Sequence, residues 1–169
     1  MKPTVSRRTL VAVVLASGTL GACGFKLRGS QSFAFSRIAI TPTPGGAVVQ
    51  ELRRSFGGSV QVLSPGTPVT QAQVVLHVPS EQRDKVVVGN NASGQVRELQ
   101  LRLRVQFNLS TPQGKVLLPS DSIALQRDLS YNESAALAKE TEEALLYRDM
   151  QSDIVGQILR RLATVKPEL

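Results

Sequence analysis

The sequence predicts an α+β fold: a two-layer sandwich with two helices packed on one face of a mostly antiparallel sheet of four strands or slightly more. Three patterns predict it. From Leu99 to Leu109, apolar and polar residues alternate without a break, which is the period of a strand with one buried side. After Asn132 the apolar residues recur every three or four positions, the period of an amphipathic helix. Before and between these segments lie short apolar runs separated by proline and glycine. One apolar face per strand and one stripe per helix can bury themselves only by stacking in two layers.

Taken in order, Arg37-Ile38-Ala39-Ile40-Thr41 is a short strand ended by Pro42 and Pro44. Thr43 before Pro44 reads as a helix start, with a capping hydroxyl and a proline suited to the first helical position. Val48, Leu52 and Phe56 then repeat every four residues, and Gly57-Gly58 close the helix. Val60 to Leu63 is a second short strand. A loop with Pro65 and Pro68 leads to an alternating run from Gln71 to Pro79. A polar stretch, Ser80 to Lys85, separates that run from Val86-Val87-Val88. A turn through Gly94 enters the long alternating strand, where Leu99, Leu101, Leu103, Val105, Phe107 and Leu109 share one face. Thr111 to Gly114 is a tight turn into Val116–Pro119. Ile123, Leu125 and Leu129 mark a last strand. The final helix runs from Glu133 to Val165, roughly 50 Å at about 1.5 Å per residue. Its stripe is Leu146, Met150, Ile154, Ile158 and Leu162, widened by Leu145, Leu159 and Val165. Glutamates in its early turns and Arg160, Arg161 and Lys166 at its end suit the helix dipole, and Pro167 stops it.

The N-terminus carries a different message. Lys2, Arg7 and Arg8 precede a short apolar run, Leu10 to Leu20, too short to span a bilayer but suited to an export signal. Leu20-Gly21-Ala22-Cys23 follows, a hydrophobic residue, two small residues and a cysteine, which resembles the lipobox of bacterial lipoproteins. Ser6 to Leu10 partly resembles a twin-arginine signal but lacks its phenylalanine, which favours ordinary secretion. The expected organisation is a signal peptide over 1–22, a lipidated tether over 23–36, one domain over 37–166 and a tail over 167–169. Losing Lys2, Arg7 and Arg8 lowers the formal net charge from +7 to +4, which suits an anionic partner without requiring one. Cys23 is the only cysteine, so its lipidation leaves no disulfide and no cysteine-held metal. Gly24 is not the aspartate that resembles an inner-membrane retention signal, so the periplasmic leaflet of the outer membrane is the expected destination.

Catalytic chemistry has little to stand on. His77 is the only histidine and has no motif around it, which reads as a structural or surface residue. No nucleophile elbow, phosphate loop or histidine–carboxylate metal spacing is present. Glu140, Glu142 and Glu143 read as a solvated helix face. Five phenylalanines, two tyrosines and no tryptophan, without basic–aromatic interleaving, argue against nucleic acid. The expectation is a non-enzyme with no cofactor and no metal apart from the diacylglycerol and acyl chain on Cys23. The informative basic set is Arg102 and Arg104, two apart and so on one strand face, with Arg97 and Lys85 near the turn that joins this strand to its neighbour. Such a set can grip phosphate. On spacing alone, a solvated face paired with Glu98, Asp128 or water is the favoured reading.

Several segments together carry a family resemblance. They are Cys23-Gly24-Phe25-Lys26-Leu27-Arg28-Gly29, Gln113-Gly114-Lys115-Val116-Leu117 and Arg127-Asp128-Leu129-Ser130-Tyr131-Asn132-Glu133. Ala136-Leu137-Ala138-Lys139-Glu140, Glu143 to Met150 and Gln157 to Leu162 complete the set. Together they resemble the LPS-assembly lipoprotein family LptE, also called rare lipoprotein B. The resemblance implies an outer-membrane lipoprotein that sits inside the LptD β-barrel, helps it assemble and binds lipopolysaccharide during its delivery to the cell surface. Lys139 falls on a family position associated with that binding. A second basic position, before the turn glycine, is Ala92 here, with Arg97 or Lys85 as the residues that would substitute. The alternative is an envelope lipoprotein that regulates a periplasmic enzyme such as a peptidoglycan synthase.

Because no other thiol exists to accept the lipid, Cys23→Ala is expected to abolish fatty-acid labelling of the chain in cells. Label retained on that variant would refute the lipobox reading.

Overall fold

The computed structural model describes residues 31–166, so Cys23 and the segment around it lie outside the described residues. The elements are β1 (Arg37–Thr41), α1 (Ala47–Ser55), β2 (Gln61–Val62), β3 (Val74–Asn90), β4 (Val96–Ser110), β5 (Val116–Ser130) and α2 (Ala136–Thr164). They form one five-stranded sheet in the order β2-β1-β3-β4-β5, and residues of both helices pack in its main apolar core. The expected two-layer α+β class holds. The sheet is mixed: β1 runs parallel to both β2 and β3, and β3, β4 and β5 form an antiparallel meander.

β4 is the centre of the molecule. Leu101, Leu103, Val105, Phe107 and Leu109 are completely buried, and Leu99 nearly so. They share one core with Met150, Ile154, Ile158 and Leu162 of α2 and with Val48, Leu52 and Phe56 on and just past α1. Gly114 sits at φ +91° in the β4–β5 turn, a conformation that glycine adopts without a Cβ clash. Asn132 opens the approach to α2, its side chain accepting from the Ser134 N–H at 3.1 Å. Phe33 and Phe35, assigned to the tether by sequence, cluster with Phe56, and Phe35 is buried.

Four local expectations are corrected. First, the polar stretch Ser80–Lys85 is strand, fused into a 17-residue β3, with Gln82 opposite Arg104 and Asp84 opposite Arg102. Its residues from Gln82 on are exposed on both sides of the sheet, so no alternation marks them. Second, β5 runs unbroken from Val116 through Pro119. β5 is an edge strand, where a missing N–H is tolerated.

Third, Thr43 and Pro44 do not start the helix. Gly46 precedes the first turn, and the cap comes from β3, where the Glu81 carboxylate accepts the Val48 N–H at 3.1 Å. A Cβ on Gly46 would lie 2.2 Å from that carboxylate, so the glycine makes room for the cap. The Thr43 hydroxyl instead accepts from the Arg53 guanidinium at 3.0 Å. Fourth, Leu145 is half exposed, and Tyr147 is buried beside the stripe in its place.

Ile154 is fully buried beneath β4. Ile154→Asp places an unpaired carboxylate there and is expected to destabilise the domain by about 3 kcal/mol or more. Thermal melting of the variant checks this, and an unchanged midpoint would reject the packing.

Candidate functional site

The structure divides the basic residues into two groups on opposite sides of the sheet. Lys85 lies opposite Leu101 in register and therefore faces the helices, within the strand rather than beside the turn as expected. Its Nζ donates to Glu143 of α2 at 2.9 Å. One turn back along α2, Lys139 donates to Ser130 Oγ at 3.0 Å and to Glu142 at 2.8 Å. Arg97 is exposed at the same end of the molecule, where its carbonyl accepts the Tyr131 N–H at 2.8 Å. Lys85, Lys139 and Arg97 thus gather where α2 begins, although Lys85 and Lys139 each hold a glutamate.

Arg102 and Arg104 project from the opposite, helix-free face. They line a shallow groove of about 300 Å³ with Gln82, Asp84, Ala124 and Gln126. Arg102 donates to Gln100 at 2.8 Å, and Gln100 donates to Asp128 at 3.0 Å. The expected pairing with Glu98 or Asp128 is therefore replaced by a neutral relay. Neither arginine makes an ion pair among the described residues.

An open cleft of about 720 Å³ lies between α2 and the outer half of β3. Arg83 and Lys85 form one wall, Glu143, Tyr147 and Gln151 the other, and Ala47 of α1 closes one end. Tyr147 reaches across to donate to the Asp84 carbonyl at 2.8 Å, with the Arg83 guanidinium 5.3 Å from its ring centre. Burial raises the Tyr147 pKa, and the neighbouring Glu143 adds to the effect. The hydrogen bond to Glu143 raises the Lys85 pKa, partly offset by desolvation. Sequence reasoning missed Arg83 and Tyr147. Their signals were present: Arg83 is two residues from Lys85, and Tyr147 precedes Met150 at helical spacing.

His77 bridges Thr41 Oγ1, 2.7 Å from Nδ1, and Ser110 Oγ, 3.5 Å from Nε2. The connectivity is that of a serine–histidine pair, but the third member is a neutral threonine. It cannot stabilise an imidazolium as a buried carboxylate does. These contacts tie β1, β3 and β4 together. Glu142 and Glu143 are engaged by lysines rather than simply solvated.

The two-layer α+β frame carries paired charges around its rim. The family model described as LptE, lipopolysaccharide-assembly, matches residues 34–162, and the chain belongs to that family. Membership makes it a non-enzymatic component of lipopolysaccharide assembly. The chain is similar to the LPS-assembly lipoprotein LptE of Photorhabdus laumondii, 28% identical over 92% of this chain and 82% of the relative. It is similarly close to LptE of Pectobacterium atrosepticum, at 27% identity over the same shares. Among solved structures it resembles lipoprotein B from Nitrosomonas europaea, with a TM-score of 0.70 and 32% identity over 83% of this chain and 90% of that one. The rare lipoprotein B of Shewanella oneidensis shares the fold, with a TM-score of 0.62 and 21% identity over 76% of this chain and 95% of that one. No described helix is long and apolar enough to cross a membrane.

Tyr147→Phe removes the hydrogen bond to the Asp84 carbonyl and is expected to cost about 1 kcal/mol at neutral pH. The folded-state pKa of Tyr147 is raised above its ordinary value of 10.0, so its contribution is complete below that pH. It is lost as the pH rises through the folded-state value, because the unfolded chain ionises first. The gap between wild type and Tyr147→Phe in denaturant titrations should therefore narrow above pH 10.0. A constant gap would contradict the burial of the phenol.

Proposed function

We propose that this chain is an outer-membrane lipoprotein, anchored through lipid on Cys23, whose domain plugs and helps assemble the LptD β-barrel and binds lipopolysaccharide during its delivery to the cell surface. The observation that carries the reading is the family match, which takes in nearly the whole folded unit. The geometry is compatible with it. Among the described residues the buried side chains are apolar apart from the Tyr147 hydroxyl, and the charged groups lie on the outside, as a plug in a water-lined barrel requires.

For lipopolysaccharide the favoured contact is Lys139, with Arg97 and Lys85 at the same end. Arg102 and Arg104, on the far face, form a separate patch. The Lys139–Glu142 pair is half open to water on the glutamate side, and such pairs are weak enough for a phosphate to displace the carboxylate. The exchange keeps the ammonium paired while lipid phosphate replaces Glu142.

Two measurements test the reading. Capture of the full-length chain from detergent-solubilised membranes of its host should bring down an LptD barrel; a peptidoglycan synthase in its place would support the alternative. Lipopolysaccharide binding at low salt should fall several-fold for Lys139→Glu and rise for Glu142→Gln, with both variants folded by circular dichroism. Arg102→Glu with Arg104→Glu should have the smaller effect. Equal affinity of Lys139→Glu and wild type would remove Lys139 from the site.

A further inference from the structure

The cleft between α2 and β3, at about 720 Å³, has the size of a small-molecule site, roughly 300–1,000 Å³. Lys139 lies outside it, reaching to Ser130 of β5 instead of to β3. Two rows of α2 line the cleft. The inner row, Glu143, Tyr147 and Gln151, is held in place. The Tyr147 hydroxyl is bonded to the Asp84 carbonyl, and Gln151 accepts from Arg83 at 3.2 Å while donating to Glu51 at 2.6 Å. The outer row, Glu140, Ala144 and Arg148, is exposed and spans about 12 Å along the helix. Ala144, small and at its middle, leaves the space open.

The lining holds unused bonding capacity of both signs. Arg148 and Glu140 make no hydrogen bond or ion pair among the described residues. Arg83 makes one hydrogen bond, to Gln151, and lies 3.6 Å from Glu81, so most donors of its guanidinium fork are unspent, with 41% of the side chain exposed. Glu143 binds Lys85 through one oxygen and keeps the other.

This combination selects an occupant. A bare anion suits the arginines but meets two carboxylates. An acyl chain finds little besides Ala47 and Ala144. A planar base finds the Tyr147 ring already faced by Arg83. A ligand with an acidic group and several hydroxyls satisfies both sets, because guanidinium forks take phosphate or carboxylate and carboxylates accept from hydroxyls.

We propose that this cleft binds an acidic saccharide, with Arg83 and Arg148 holding its phosphate or carboxylate and Glu140 and Glu143 accepting from its hydroxyls. The inference rests on the reading that the chain handles lipopolysaccharide, and it gives the cleft the sugar part of that molecule, on the other side of α2 from Lys139.

The test uses the full chain in detergent at low salt. The probe is the saccharide of host lipopolysaccharide, deacylated with its phosphates retained. Wild type should bind it saturably, and inorganic phosphate alone should bind at least about tenfold more weakly. Arg148→Glu should weaken saccharide binding by roughly tenfold. Arg160→Glu, the same charge change at an exposed position about 18 Å further along α2, should not. Glu140→Ala should weaken it several-fold, whereas a site for bare anions would gain affinity. Equal losses in Arg148→Glu and Arg160→Glu, a gain in Glu140→Ala, or phosphate binding as tight as the saccharide overturns the proposal. A glutamate-rich peptide that competes as well as the saccharide also overturns it, by marking the cleft as a contact for an acidic protein segment. Intact lipopolysaccharide that binds while the deacylated saccharide does not overturns the cleft proposal and leaves the proposed function standing. Failure of both ligands to bind overturns both.

Discussion

The fold depends on one burial event: the apolar row of β4 under the stripe of α2. Leu101, Leu103, Val105 and Phe107 have no exposed surface, and neither do Met150, Ile154, Ile158 and Leu162 above them. Each side chain of that size contributes about 1.5–3 kcal/mol when removed from water. The same contact fixes the register of the meander. A one-residue slip of β4 would place Arg102 and Arg104 under the helix and the leucines in solvent. The polar outer face and the apolar inner face are therefore a single constraint, and it is what keeps the arginines available.

The rim chemistry follows from that arrangement. α2 crosses the sheet and brings Lys139, Glu142, Glu143 and Tyr147 over its outer end. α1 is too short to extend the helical layer across all of β3, which opens the cleft walled by Arg83 and Lys85. The ion pairs in this region are partly exposed and screened, so they contribute little to stability. They hold charge at the end where lipopolysaccharide binding is proposed.

Legibility in the sequence followed the physics of each element. β4 and α2 were readable because one face is buried along most of their length, which forces a clean period. The helix stripe erred only at Leu145, whose place beside the core Tyr147 takes. The outer half of β3 was unreadable as strand because residues from Gln82 on meet water, and burial is what writes alternation into a sequence. The α1 cap was misplaced because its donor is satisfied by Glu81, a residue 33 positions from Val48. No local pattern encodes such a contact. The basic residues were found individually, but their separation onto two sides of the sheet was not. Spacing put Arg102 and Arg104 together, whereas the side that Lys85 takes depends on the register of β3 against β4.

The geometry of β3 also sets a reach. The described chain joins the sheet at the base of β3, where Ile38 lies beside Val74. The strand then runs out to Asn90 and the hairpin tip, roughly 50 Å away at about 3.3 Å per residue. A bilayer's hydrocarbon core is about 30 Å thick. Measured along the strand, the hairpin tip therefore lies farther from the base of β3 than that thickness. Shortening the β3–β4 ladder by whole two-residue repeats would preserve the facing of every remaining side chain while drawing the tip inward. The span can be shortened freely only beyond Leu99, because inward of that residue every second β4 position of the ladder belongs to the core.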